Sequence, residues 1–144
     1  MSRTVSIGKQ NFESMITGQY FYVDKTRFIR EWWENGDDVT LITRPRRFGK
    51  TLTLNMVETF FSVEYSDKRE LFAQMDILKE ECYRKIQGTY PVIFLSFAEV
   101  KEKNFEGARK KICQLISDLY SRYSFLLKAD VLTDRDRNIL YQVS

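Results

Sequence analysis

The residues with the clearest chemical potential are Lys50 and Thr51, which end a basic loop that begins at Arg44. The loop reads Arg-Pro-Arg-Arg-Phe-Gly-Lys-Thr, and it lies between a short apolar run at 39–43 and an amphipathic run at 52–61. A strand, a tight loop and a helix in this order are typical of a phosphate-binding P-loop, in which main-chain N–H groups and the positive end of the helix dipole face phosphate oxygens. The sequence therefore predicts a phosphate site in this loop.

Each residue type in the loop suits such a site. The ammonium group of Lys50 would reach the outer phosphates of ATP, and the hydroxyl of Thr51 would hold Mg²⁺. Gly49 has no Cβ, so the main chain there can approach the ligand closely. The predicted nucleotide-binding residues are Arg46, Arg47, Phe48, Gly49, Lys50, Thr51 and Leu52. Thr51 is also the predicted metal ligand, whereas no catalytic residue is assigned.

The loop departs from the general pattern G-x-x-x-x-G-K-[ST] at its first position, where Arg44 replaces glycine. Pro45 fixes its own φ and favours an extended Arg44, so the chain must leave the strand differently. A Gly-Lys-Thr tripeptide alone is a weak signal, and the flanking strand and helix supply its context. The alternative interpretation of these residues is an exposed basic turn.

The run R-P-R-R-F-G-K-T-L after an apolar strand resembles the signature of the AAA-ATPase-like family of bacterial proteins, in which Arg occupies that first position. The resemblance extends from Ile7 to at least Phe97, and its other matching pieces are Ile7-Gly8 with Phe12, Tyr22 to Thr26, Phe60-Phe61, Leu71-Phe72 and Tyr90 to Ile93. It implies a module that binds ATP with Mg²⁺. Full-length relatives are similar to proteins that carry a C-terminal nuclease-like domain of the restriction-endonuclease type, which would make nucleic acid a partner.

The order of elements predicts an α/β fold, a partial P-loop NTPase three-layer sandwich with a mostly parallel sheet and helices on both faces. Strands are predicted at 39–43 and 91–97, and the second is an almost unbroken apolar run, typical of a strand covered on both faces. Helices are predicted around the apolar stripes that flank these runs, with the longest beginning after Asn104. The 144 residues are expected to form a single domain over 1–144.

A working P-loop ATPase needs an acidic residue at the end of a neighbouring apolar strand, and this sequence does not supply one. The best candidate run, 92–95, is followed by Ser96. In the family that the chain resembles, the acidic strand comes later. We therefore expect 1–144 to be an incomplete N-terminal fragment that binds ATP, is inactive alone as an ATPase, and belongs to a longer protein that could be one.

The composition excludes several kinds of catalytic and metal site. The absence of histidine excludes Ser-His and Cys-His nucleophile pairs, and two cysteines cannot make a four-cysteine zinc site. Cys82 and Cys113 lie in helical patterns and are expected to be buried thiols in a reducing compartment. No apolar run is long enough to span a membrane and no secretory signal opens the chain, so the expected location is the cytoplasm.

Two alternatives stay open. The net charge of +3 is mild, but four cations fall between Arg44 and Lys50, so the chain could be a basic nucleic-acid-binding or protein-binding module with a degenerate P-loop. In the run Asp24-Lys25-Thr26, the acid is expected either to cap the following helix or to lie with its neighbours near the nucleotide base or ribose.

Overall fold

The computed structural model describes residues 4–6, 8–125 and 132–143, with side chains to Ile139. It divides the chain into two compact units, 1–92 and 93–144. The single domain expected over 1–144 stays a prediction. None of the helices in the described ranges combines the length and the apolar character that crossing a bilayer demands.

The described residues of the first unit form four α-helices: α1 (Phe12–Thr17), α2 (Arg27–Asn35), α3 (Lys50–Phe61) and α4 (Glu81–Ile86). Three short 3-10 helices lie between α3 and α4, at Val63–Tyr65, Arg69–Phe72 and Asp76–Lys79. The second unit holds α5 (Phe105–Arg122) and α6 (Asp134–Val143). The periodicity thus predicted the long helices correctly, whereas the apolar residues after Ser66 lie in short 3-10 turns and the brief α4.

Side-chain caps explain where several helices begin. The amide oxygen of Asn104 accepts a hydrogen bond of 2.7 Å from the N–H of Gly107, which fixes the start of α5. Thr133 and Asp136 exchange hydrogen bonds between side chain and main-chain N–H at the start of α6. This reciprocal arrangement is a capping box, as the spacing predicted. Gly36, in the left-handed region with φ of 64°, ends α2.

An aromatic core packs the first unit around α3. Met56 and Phe60 of α3 are fully buried, as their spacing predicted. The ring of Phe72 stacks on Phe12 at 4.9 Å between centroids and meets Phe60 edge-on at 5.3 Å. Aromatic pairs of this kind add stabilisation beyond the area that they bury. This cluster fixes α3, and therefore the end of the loop that precedes it.

The predicted α/β sandwich is wrong. In the part of the chain that the structure describes, regular structure consists of helices and 3-10 turns, and no β-strand forms. The one bridge within those residues is a parallel pairing of Ser62 with Tyr90. Both runs predicted as strands, 39–43 and 91–97, lack regular secondary structure along their apolar cores.

The exposure of these two runs gives the physical reason. An apolar run becomes a strand only where a neighbouring backbone pairs with its N–H and C=O groups, and sequence periodicity says nothing about that neighbour. Val39 and Leu41 are 87% and 83% exposed, and in the second unit Ile93 and Phe97 are 71% and 56% exposed. The prediction that 91–97 is covered on both faces is therefore wrong as well.

The cysteines also differ from expectation. Both Cys82 and Cys113 are free and exposed. Their helical periodicity placed them on apolar stripes, but α4 spans only two turns and Cys82 falls outside the core. Neither thiol is a buried core residue.

Candidate phosphate-binding site

The basic loop occupies 44–51 and follows the run 39–43, which has no regular secondary structure; its last two residues are the first two of α3. Helix α3 begins at Lys50, with Gly49 in the N-cap position. The first turn is closed by a hydrogen bond of 2.8 Å from the N–H of Thr53 to the carbonyl oxygen of Gly49. The free N–H groups and the positive dipole end of this 12-residue helix therefore face the loop.

Backbone conformation alternates along the loop. Arg47 and Gly49 are left-handed, with φ of 69° and 76°, whereas Arg46 and Phe48 have negative φ. Turns that combine residues of negative φ with left-handed residues can direct successive N–H groups toward one concavity, the arrangement that is called a nest for anions. Arg47 has a Cβ, so its left-handed conformation carries a conformational cost.

Lys50 holds the loop closed. Its ammonium group donates hydrogen bonds to the main-chain carbonyl oxygens of Arg44 and Pro45, the second at 2.9 Å. The lysine thus reaches back over the loop that it ends. In this state, carbonyl oxygens occupy the hydrogen-bonding positions that phosphate oxygens would take.

Two hollows flank the loop, and Lys50 lines both. The larger, of about 730 Å³, lies between the loop and an N-terminal segment that contributes Ser6, Gly8, Lys9 and Gln10. It is lined by six of the seven residues predicted to bind nucleotide: Arg46, Arg47, Gly49, Lys50, Thr51 and Leu52. Phe48, the seventh, lines a second hollow of about 600 Å³ and is 63% exposed. Both volumes fall in the range of small-molecule sites.

A buried hydrogen bond ties the chain after the N-terminal segment to α3. The N–H of Phe12 donates to the side-chain oxygen of Asn55 at 2.6 Å, and the Asn55 amide donates to Glu58 at 2.8 Å. Ser6, Gly8, Lys9 and Gln10, which line the larger hollow, shortly precede this bond in the chain. Sequence reasoning did not assign these residues to the site, although Ile7-Gly8 and Phe12 were among the pieces that resemble the family.

Asp24 has a structural role. Its carboxylate accepts hydrogen bonds from the N–H and hydroxyl of Thr26 at 2.8 and 2.7 Å, and from the N–H of Asp76 at 2.8 Å. Burial alone would raise the pKa of Asp24, but these donors and the charge of Lys79 lower it below its ordinary value. Thr26, which occupies the N-cap position of α2, is fully buried. Asp24 therefore fastens the start of α2 to the turn at Asp76.

Lys25, between these two anchored residues, comes close to the loop. A methyl group added at Gly49 would lie 3.1 Å from the ammonium nitrogen of Lys25. Lys25 also lines the second hollow, together with Arg44 and Lys50. Sequence reasoning considered Lys25 only as a neighbour of the base or ribose, because nothing in the local pattern relates it to the loop.

The predicted metal ligand is accessible. Thr51 lies exposed in the first turn of α3, and its hydroxyl makes no hydrogen bond to any described residue. Among those residues there is also no group of three His, Cys, Asp or Glu side chains that could hold a metal ion. A threonine hydroxyl and substrate phosphates fit Mg²⁺, which takes few protein ligands and keeps much of its water.

Comparison with known proteins confirms the resemblance to the AAA-ATPase-like family. A family model described as Predicted AAA-ATPase matches residues 6–142. An uncharacterized protein in the vnfD 5′ region of Azotobacter chroococcum mcd 1 is 31% identical over 119 residues, which are 81% of this chain. The chain spans 22% of the length of that relative. No solved structure matches this chain. Because the family model covers nearly all of the sequence, the chain belongs to the Predicted AAA-ATPase family.

Proposed function

We propose that the loop 44–51 binds ATP as its magnesium complex. The observation that carries the proposal is the closed loop itself: Arg47 and Gly49 are left-handed between residues of negative φ, and Lys50 folds back onto the carbonyl oxygens of Arg44 and Pro45. This geometry supports an anion site of main-chain N–H groups with a lysine above it. Membership in the family suggests use of a nucleotide and Mg²⁺.

In this proposal, the residues in and beside the loop have distinct roles in binding. The N–H groups of 46–51 surround the phosphate chain, and Lys50 exchanges its carbonyl partners for the β- and γ-phosphates. Thr51 gives its hydroxyl to Mg²⁺, which would supply charge neutralisation between these phosphates. Arg46 and Arg47, exposed and without an ion pair to any described residue, add positive potential. The larger hollow, with Leu52, receives the nucleoside.

The proposal is limited to binding. The carboxylate among the described residues that line either hollow is Glu31, which is paired with Arg27 at 2.7 Å. Action on nucleic acid and the activity of a longer protein remain further proposals, which rest on the resemblance alone.

Isothermal titration calorimetry with Mg-ATP tests the proposal. The parent chain should bind, and Lys50→Ala should lower affinity at least 100-fold, because a charge-assisted contact to two phosphates is lost. The matched control is Lys85→Ala, on α4, which removes an exposed lysine paired with Glu81 and should leave affinity unchanged. Thermal melting of each variant confirms that the fold survives.

The same titrations address the alternative module. If the parent chain does not bind Mg-ATP, the proposal is wrong. If that chain bound an oligonucleotide with an affinity falling steeply with salt, the basic loop would be a nucleic-acid surface instead. Binding of Mg-ATP that Lys50→Ala leaves intact would place the nucleotide elsewhere on the protein.

A further inference from the structure

A second lysine reaches the loop from outside it. Lys25 precedes α2, and its ammonium nitrogen would lie 3.1 Å from a methyl group added at Gly49. Gly49 is the N-cap of α3, where the N–H groups of the helix are free. The charge of Lys25 therefore stands at the same helix end as that of Lys50, although the two lysines come from different elements.

The backbone on both sides of Lys25 is fixed. Asp24 is held by the N–H of Asp76 at 2.8 Å, and the hydroxyl of the fully buried Thr26 accepts a hydrogen bond of 3.3 Å from the N–H of Ile77. The side chain of Lys25 is itself half-buried. A lysine on a loose surface turn would lose far more conformational freedom on binding a ligand, so this anchoring favours a bound anion.

The hollow that Lys25 lines carries positive charge without matching carboxylates. Among the described residues, Lys25, Arg44 and Lys50 form no ion pair. Glu31 also lines this hollow, but Arg27 neutralises it at 2.7 Å. Three cations gathered in a hollow of about 600 Å³ repel one another, and a polyanion would relieve that repulsion.

The position of Lys50 indicates which part of a nucleotide would meet Lys25. Lys50 lines both hollows, whereas Thr51 and Leu52 line only the larger one and Lys25 only the smaller. A triphosphate whose nucleoside lies in the larger hollow passes Lys50 and ends in the smaller one. We propose that Lys25 is a second phosphate-binding lysine, which contacts the terminal phosphate of ATP and makes the site prefer ATP to ADP. This inference rests on the proposed function.

Titration of the 144-residue chain with Mg-ATP and Mg-ADP tests it. The parent should prefer ATP. Lys25→Met should lower affinity for ATP about tenfold, the usual effect of losing one charge-assisted hydrogen bond, and change affinity for ADP less than about twofold. Lys25→Arg, which keeps the charge, should restore most of the preference. Lys85→Met, an equal loss of charge on α4, should behave as the parent does. Melting temperatures show whether each variant is folded.

The outcomes separate this inference from the proposed function. If Lys50→Ala abolishes binding but Lys25→Met keeps the parent's ratio of ATP to ADP affinity, the site stands and Lys25 has no part in it. An equal loss for both nucleotides, or a parent without any preference, also overturns the assignment to the terminal phosphate. If the parent chain binds neither ATP nor ADP, both the proposed function and this inference are wrong.

Discussion

The ammonium group of Lys50 donates a hydrogen bond of 2.9 Å to the carbonyl oxygen of Pro45, so the residue that ends the basic loop also closes it. The same group bonds to the carbonyl oxygen of Arg44. A phosphate that binds Lys50 must take the place of these carbonyl oxygens. The closed loop thus already orients the lysine, and under the proposed function phosphate oxygens would replace these carbonyl acceptors.

Removing this closure should expose the loop to protease. The bonds after Arg46 and Arg47 are trypsin sites in an exposed turn, whereas Pro45 protects the bond after Arg44. Lys50→Met removes both carbonyl contacts, so trypsin should cleave after Arg46 and Arg47 several-fold faster than in the parent, because the loop opens more often. Mass spectrometry of timed digests measures the two sites.

The control for the digest is Lys85→Met, which should leave cleavage in the loop unchanged. If the closed loop is the ligand-ready state, Mg-ATP should slow cleavage in the parent and have no effect in Lys50→Met. Equal loop cleavage in all three chains would mean that Lys50 does not hold the loop.

A comparison of Gly49→Ala with Gly36→Ala distinguishes the effect of backbone strain on stability from the effect of the substitution on ligand binding. Gly49 has φ of 76°, and an alanine there should cost about 1 kcal/mol because its Cβ disfavours the left-handed region. Gly36→Ala, at φ of 64° with no atom within 4 Å of the added methyl, carries a similar cost. Urea unfolding should therefore show similar destabilisation for the two variants. Gly49→Ala, unlike Gly36→Ala, should also lose affinity for Mg-ATP. Its methyl group would lie against the ammonium group of Lys25 and, under the proposed function, close to the bound phosphates.

The starts of α5 and α6 were predictable because each depends on a few adjacent residues, whereas the N-cap of α2 is Thr26 and not the expected Asp24. Asn104 bonds to the N–H of Gly107, and Thr133 bonds to Asp136, so the information lies within one turn. The sheet was not predictable in the same way. Val39 and Leu41 have the composition of a strand, but pairing requires a second backbone whose position periodicity does not contain.

The same distinction between adjacent and distant residues applies to the candidate site. Gly49, Lys50 and Thr51 are contiguous, so their proximity follows directly from the sequence, although their function stays a prediction. The approach of Lys25 does not follow from it, since it depends on the bond from Asp76 to Asp24, residues 52 positions apart. Nor does the sequence predict that Ser6, Gly8, Lys9 and Gln10 line the larger hollow; the nearby bond from Phe12 to Asn55 joins residues 43 positions apart.

Asp24 should make stability depend on pH in the acid range. Its pKa in the folded chain lies below the ordinary 3.8, so the carboxylate contributes stability that is present above pH 3.8 and is lost as the pH falls through the lowered folded pKa. At pH 7, Asp24→Asn should cost about 1–2 kcal/mol, the value for hydrogen bonds to a charged group reduced for partial exposure. Below pH 3.8 the gap between variant and parent should narrow.

Urea unfolding at pH 7 and pH 3 measures this dependence. Asp37→Asn, in the exposed segment after α2, serves as the control and should change stability little at either pH. A free-energy difference between Asp24→Asn and the parent that is the same at both pH values would show that ionisation of Asp24 does not stabilise the fold.

The exposed apolar run at 39–43 should promote self-association. Val39 is 87% exposed in a segment without regular secondary structure, and exposed apolar chain with unpaired backbone is a template for pairing between molecules. Val39→Lys should reduce light scattering in concentrated solution and shift the free energy of unfolding by less than about 0.5 kcal/mol, because the valine buries little. Gln114→Lys, an exposed site on α5, adds the same charge without removing an apolar side chain. If both variants reduced scattering equally, net charge and not the apolar run would be the cause.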